Sequence, residues 1–200
     1  MTYPLISFPS EELTPSNRFE WSTAQAKQFY AWFMDSMPAR ISGLMSFLGL
    51  PGELAASREG VVRAELRIQE IVIGKLLDVW VAPATTAKSV NVKGQVIETV
   101  KEGDLRSTPE GYSLSVDMGI MTSNALVKLF PSLNWKMQKS RGREVSKNLP
   151  VISGFGESWR YYCPFTASQA NVEGIAKHGK NEPKLWVSVF DSIATCVNGP

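Results

Sequence analysis

The sequence is poor in the residues that most catalytic chemistry needs. Its 200 residues include one histidine, His178, and two cysteines, Cys163 and Cys196. Two thiols are too few for a disulfide framework, and free buried thiols are expected. With a single histidine, two distant cysteines and no paired acidic cluster, the chain falls short of the usual ligand sets, so neither metal nor cofactor is expected. No apolar run approaches the roughly 18 residues of a membrane span. The opening stretch, MTYPLISFPSEELTP, holds three prolines and no basic n-region, unlike a secretory signal, and cytoplasmic residence is the expectation. There is no internal repeat and no low-complexity segment.

What is present is the make-up of an ordinary globular protein: 44% apolar, 20% charged, with six tryptophans and nine phenylalanines to bury. The length suits one domain with a sizeable core. The net charge of +2 carries little information by itself.

Residues 1–20 read as an extended arm. Its Leu5, Ile6, Phe8, Leu13 and Phe19 are too apolar for a floating tail, and a short strand is expected around Tyr3 to Phe8. Residues 22–50 read as the helix around which the chain is organised. Ser22-x-x-Gln25 is a capping box. Phe29, Phe33, Met37, Ile41, Leu44 and Leu48 recur at helical spacing, and Trp32, Met34, Met45 and Phe47 widen the stripe. Pro38 either kinks this helix or opens a second one capped by Asp35 or Ser36. Gly49 and Pro51-Gly52 stop it.

Residues 61–73 fit two periods. Val62, Ala64, Leu66 and Ile68 alternate as in a strand, whereas Val61, Ala64, Ile68, Ile71, Val72, Leu76 and Trp80 follow a helix; length favours a helix ended by Pro83. Residues 82–111 form a polar region, either a surface loop or a hairpin of Val90, Val92, Val96, Ile97 and Val100 turning at Lys93-Gly94. From Tyr112, the residues Leu114, Met118, Met121, Ala125 and Leu129 predict a helix stopped by Pro131. Leu133, Trp135 and Met137 alternate with polar residues, and a second apolar run spans 149–155, so a hairpin is expected with Pro150 at an edge or at a strand's first residue. Thr166-x-x-Gln169 predicts a weak helix to about Lys177. Pro183 opens a last helix whose Leu185, Trp186, Val189, Phe190 and Ile193 share a face. The expected architecture is one α+β domain over 1–200, mostly helical, with a small antiparallel hairpin or sheet near 133–155.

Candidate chemistry is sparse. His178 sits in a polar helix end where it complements the dipole, and a Cys163–His178 dyad has no supporting sequence signature. Asp117, inside Val116-Asp117-Met118-Gly119-Ile120, is either a catalytic acid or half of an ion pair with Arg40. Gly154-Phe155-Gly156 lacks the Gly-Lys-Ser/Thr of a phosphate loop and reads as a turn. The loop 136–147 is the most informative surface feature, with Lys136, Lys139, Arg141, Arg143 and Lys147 against the single Glu144. Such a run is a solvated tip, a surface for an acidic protein partner, or, with Trp135 and Trp159 near, a nucleic-acid surface.

Trp32-Phe33 followed by Met37-Pro38-Ala39-Arg40 resembles the aromatic-helix signature of a family of small bacterial cytoplasmic proteins. These are similar to proteins proposed as immunity partners of secreted polymorphic toxins. Asp117-Met118-Gly119, Asn148-Leu149-Pro150-Val151 and Gly154-Phe155 resemble its later motifs. Ala39 stands where the family has an acidic residue, and 53–111 has no counterpart. The resemblance implies a non-enzymatic protein that binds and neutralises a cognate toxin, its motif residues being structural and its contact residues unassigned. Lys136, Lys139, Arg141, Arg143 and Lys147 are the candidate partner-binding set. An enzyme using Asp117 or Cys163/His178, or a nucleic-acid binder using 136–147, are the alternatives.

Overall fold

A computed structural model describes the side chains of residues 1–78, 107–139, 144–155, 161–167, 175 and 185–198, and the strand backbone at 80–81, 85–90, 96–101 and 106. Five helices are described: α1 Thr23–Leu48, α2 Arg58–Ile73, α3 Pro109–Leu129, α4 Pro164–Ala167 and α5 Leu185–Asn198. The strands pair two by two: β1 Trp80–Val81 with β4 Arg106–Ser107, β2 Thr85–Val90 with β3 Val96–Lys101, and β5 Asn134–Met137 with β6 Pro150–Ser153, all antiparallel. The expected mostly helical α+β architecture is what forms. Buried apolar side chains from Tyr3 to Ile193 make one continuous core.

The centre of that core is α3, not the expected α1. Ser113 through Ser123 are buried without interruption, and the helix touches α1, α2, α4 and α5. Gly111, Ser115, Gly119 and Ala125 are the small residues among those it buries. Two of its buried hydroxyls bond backwards within the helix, Thr122 Oγ1 to the Met118 carbonyl at 2.8 Å and Ser123 Oγ to that of Gly119 at 2.7 Å. These two therefore demand nothing of their neighbours, whereas buried Ser115 Oγ has no hydrogen-bond partner among the described residues.

Helix α1 opens on the expected box: Gln25 N–H donates to Ser22 Oγ and Ser22 N–H to Gln25 Oε1. It ends with Gly49 at φ 67° and with Leu50 N–H returning to the Met45 carbonyl, a left-handed stop. Pro38 neither divides it nor starts a second helix, since the helix is continuous from Thr23 to Leu48. Ser36 does not cap; its hydroxyl donates to the Phe33 carbonyl. Pro38 lies on the exposed side, where the carbonyl freed one turn earlier can face water, while Phe33, Met37 and Ile41 are held in the core on either side.

Three other expectations are corrected. The helix predicted to reach Trp80 ends at Ile73, because Gly74 and Lys75, at φ 52°, reverse the chain and free Trp80 for β1. Of the two readings of the polar region 82–111, the hairpin is the one that forms, with Val90 opposite Val96. The start of α3 also falls in it, where Thr108 Oγ1 accepts from Gly111 N–H and Pro109 takes the first turn. No strand forms between Tyr3 and Phe8; the arm is tied instead by single bonds such as Ile6 N–H to Ser113 Oγ. Likewise α4 starts at Pro164, ahead of Thr166, and Gln169 lies outside the described residues, as does most of the weak helix to Lys177.

Helix α5 is held to α2 at its first turn and again at its middle. Glu65, buried at 2% exposure, accepts from Leu185 N–H at 2.9 Å and Val187 N–H at 2.8 Å. A carboxylate on one helix thus occupies the amide end of another, where the dipole favours it. Arg58 makes a two-pronged pair with Asp191 at 2.6 and 2.7 Å.

Candidate functional site

The buried carboxylate predicted to be either an acid or an ion-pair partner is an ion-pair partner. Arg40 Nε donates to Asp117 Oδ1 at 2.8 Å, Arg40 Nη2 to Oδ2 at 2.5 Å, and Tyr3 OH to Oδ2 at 2.5 Å. Arg40 Nη1 also donates to the Leu5 carbonyl at 3.1 Å. Burial pushes the Asp117 carboxyl up from its usual range, while the Arg40 guanidinium and the Tyr3 hydroxyl pull it back down. Both oxygens are engaged. The site joins α1, α3 and the arm at one point.

Cys163 is a buried thiol and Cys196 a half-buried one, and no disulfide links them. Burial pushes the Cys163 thiol up, away from the thiolate that a nucleophile needs. His178 lies outside the described residues. Among the described residues no group of three His, Cys, Asp or Glu could hold a metal ion, and no helix is long and apolar enough to cross a membrane.

The basic loop is anchored at its second half. Arg18 of the arm donates through Nε to the Val145 carbonyl at 2.7 Å, and Asn148 Nδ2 donates back to the Arg18 carbonyl at 2.8 Å. Glu144 accepts from Tyr161 OH and, at 3.3 Å, from Gln138 Nε2. Lys147 is half-buried on this turn, whereas Lys136 and Lys139 are exposed. Arg141 and Arg143 lie outside the described residues. The described cations therefore do not share one setting: two are exposed on β5 and its extension, and one belongs to a docked turn.

Asn148 explains why that turn is built as it is. It sits at φ 64°, a left-handed position that Asn tolerates. Asn148 N–H donates to the Gln138 carbonyl at 2.8 Å and Gln138 N–H to the Leu149 carbonyl at 2.9 Å. Two residues thus face one, a β-bulge opened by a left-handed residue. Pro150 follows as the first residue of β6, opposite Met137, where no ladder bond is required of it. Beyond β6, Gly154 stands at φ 107°, and a Cβ there would lie 2.1 Å from the Ser132 carbonyl oxygen, so the turn admits only glycine.

The ladder fixes which way β5 points its backbone. Opposite Trp135, Ile152 turns its N–H and C=O away from β5 and exchanges bonds with Tyr162 at 2.9 and 3.0 Å. By the alternation of an antiparallel pair, Trp135 and Met137 turn theirs the other way, out of the sheet. Neither finds a partner among the described residues. Trp135 packs its ring on Phe33 at 5.1 Å, leaving Asn134 and Lys136 on the solvent face.

A cleft of roughly 540 Å³ opens between the arm and the start of α3, lined by Phe8, Arg18, Thr108, Tyr112, Val145 and Phe165 among others. Burial raises the Tyr112 phenol there well above its ordinary 10.0. The sequence reading missed this cleft, Tyr3, Glu65 and the outward-facing backbone of β5. Glu65 was visible as a charge on the apolar face of α2, next to Ala64 and Ile68. No protein-family model, curated protein or solved structure matches the chain.

Proposed function

We propose that this protein is a non-enzymatic binding protein of the cytoplasm that neutralises a cognate antibacterial toxin by direct contact. The observation that carries the reading is the pair Lys136 and Lys139. Both are exposed and neither forms an ion pair among the described residues, so their charge remains available to an acidic partner. The residues through which the chain resembles an immunity family support it from the other side. Arg40, Asp117, Asn148, Pro150 and Gly154 all have structural work, and Asp117 has both oxygens occupied. A binder needs a rigid body and one complementary surface, and these residues supply the rigidity.

The test is co-expression with the product of the neighbouring gene. That product is expected to arrest growth alone and to be harmless when this protein is present. A neighbour that is harmless alone, or still toxic beside abundant folded protein, removes the reading. Reversing Arg141 and Arg143 to Glu is expected to slow association chiefly at low salt, where charge steering is strongest; stopped-flow mixing measures it.

A further inference from the structure

We infer that the outer edge of β5 is a docking site for an extended acidic segment of a partner protein, which adds to the β5–β6 pair as a third strand. This names the binding mode of the surface proposed above and relies on that reading only for the partner's biological identity.

The edge is a backbone template. Trp135 and Met137 aim their N–H and C=O groups out of the sheet, and these have no partner among the described residues. Added strands gain affinity from such main-chain bonds and specificity from alternate side chains. The pleat gives the docking strand two faces. One lies beside Trp135 and Met137, which pack towards the core, and it selects apolar side chains. The other lies beside Lys136, with Lys139 exposed further along, and it selects carboxylates. A shallow depression lined by Lys136, Met137, Gln138 and Lys139 marks the same place. The occupant is therefore a segment in which acidic and apolar residues alternate.

The same lysines argue against a second copy of this chain. Two copies joined edge to edge at β5 would bring their lysines together without a counter-charge, and lysine on an exposed strand is a known guard against self-pairing. An acidic strand turns that repulsion into attraction.

The probe is a blocked octapeptide alternating Glu and Val, with the Lys/Val analogue as control, titrated into the full chain. The acidic peptide is expected to bind and the basic one not to. Saturation should slow hydrogen exchange at the Trp135 and Met137 amides by at least about tenfold, as bonded amides are protected, while the Lys136 amide, which already faces β6, changes little. Lys136→Glu with Lys139→Glu should weaken binding by about tenfold or more, given the size of close charge-pair effects. Two N-methylated peptides test the strand geometry. Methylation of every Val amide should abolish an antiparallel docking and spare a parallel one; methylation of every Glu amide does the reverse. Binding that survives both marks mere charge attraction, and loss with both marks peptide self-assembly. Either result overturns the inference, as does absence of binding or of amide protection. Because no toxin is used, intact peptide docking with failed rescue removes the immunity reading alone. Rescue unaffected by the double charge reversal, without amide protection by the peptide, removes this one alone.

Discussion

At Asp117 the cost of burying a charge is met by geometry. The carboxylate is 1% exposed and the Arg40 side chain 18%, so removing either partner strands the other in a poorly hydrated place. Asp117→Asn or Arg40→Met alone is expected to cost about 3–5 kcal/mol, whereas replacing both with apolar residues should recover much of the loss; urea melts of the double-mutant cycle measure the difference. Tyr3 adds a pH signature. Burial first, and the Asp117 charge second, raise its phenol far above the ordinary 10.0. The unfolded chain ionises at the ordinary value, so the stabilisation is complete below about pH 10 and is lost as pH climbs towards the raised folded value. Stability should fall more steeply above about pH 10 in the natural protein than in Tyr3→Phe, as read from urea midpoints against pH.

Among the elements, α1 and α3 divide the labour differently from what their sequences suggest. Phe33, 1% exposed and in ring contact with Trp135 and Phe165, was legible as core from spacing alone. Phe33→Ala should cost about 3–5 kcal/mol in denaturant melts. The capping box at Ser22, the Arg40–Asp117 pair and the Pro150 strand start were equally legible, because each is written in adjacent residues or in an unpairable charge. The central position of α3 was not. A run such as Ser-Leu-Ser-Val-Asp-Met-Gly reads as half polar, and only the folded structure reveals that Ser113 bonds back to the Pro109 carbonyl and Asp117 to Arg40 and Tyr3. The end of α2 was hidden for the opposite reason: Leu76 and Leu77 prolong the apolar period past Gly74, where the backbone has already turned. The outward-facing backbone of β5 was hidden too, since pairing is a property of the ladder and not of the strand. Glu65 joins two elements, and Glu65→Ala should fray the start of α5; faster hydrogen exchange at the Leu185 and Val187 amides would report it.

For the whole molecule, one core running from Tyr3 to Ile193 implies one cooperative unit. Tryptophan fluorescence and far-ultraviolet dichroism should lose their folded signals at the same urea concentration. The long reach of its key bonds also sets a timetable for birth on the ribosome. Tyr3 leaves the exit tunnel 114 residues before Asp117, and Glu65 leaves 120 before Leu185. At the usual pace of translation each interval lasts on the order of ten seconds. Throughout it the nascent chain displays an arm whose Tyr3 hydroxyl has no carboxylate to meet, and an α2 whose inward carboxylate still faces water. Closure waits for the last helix to emerge, which makes the growing polypeptide, rather than the finished protein, the form most exposed to chaperones and proteases.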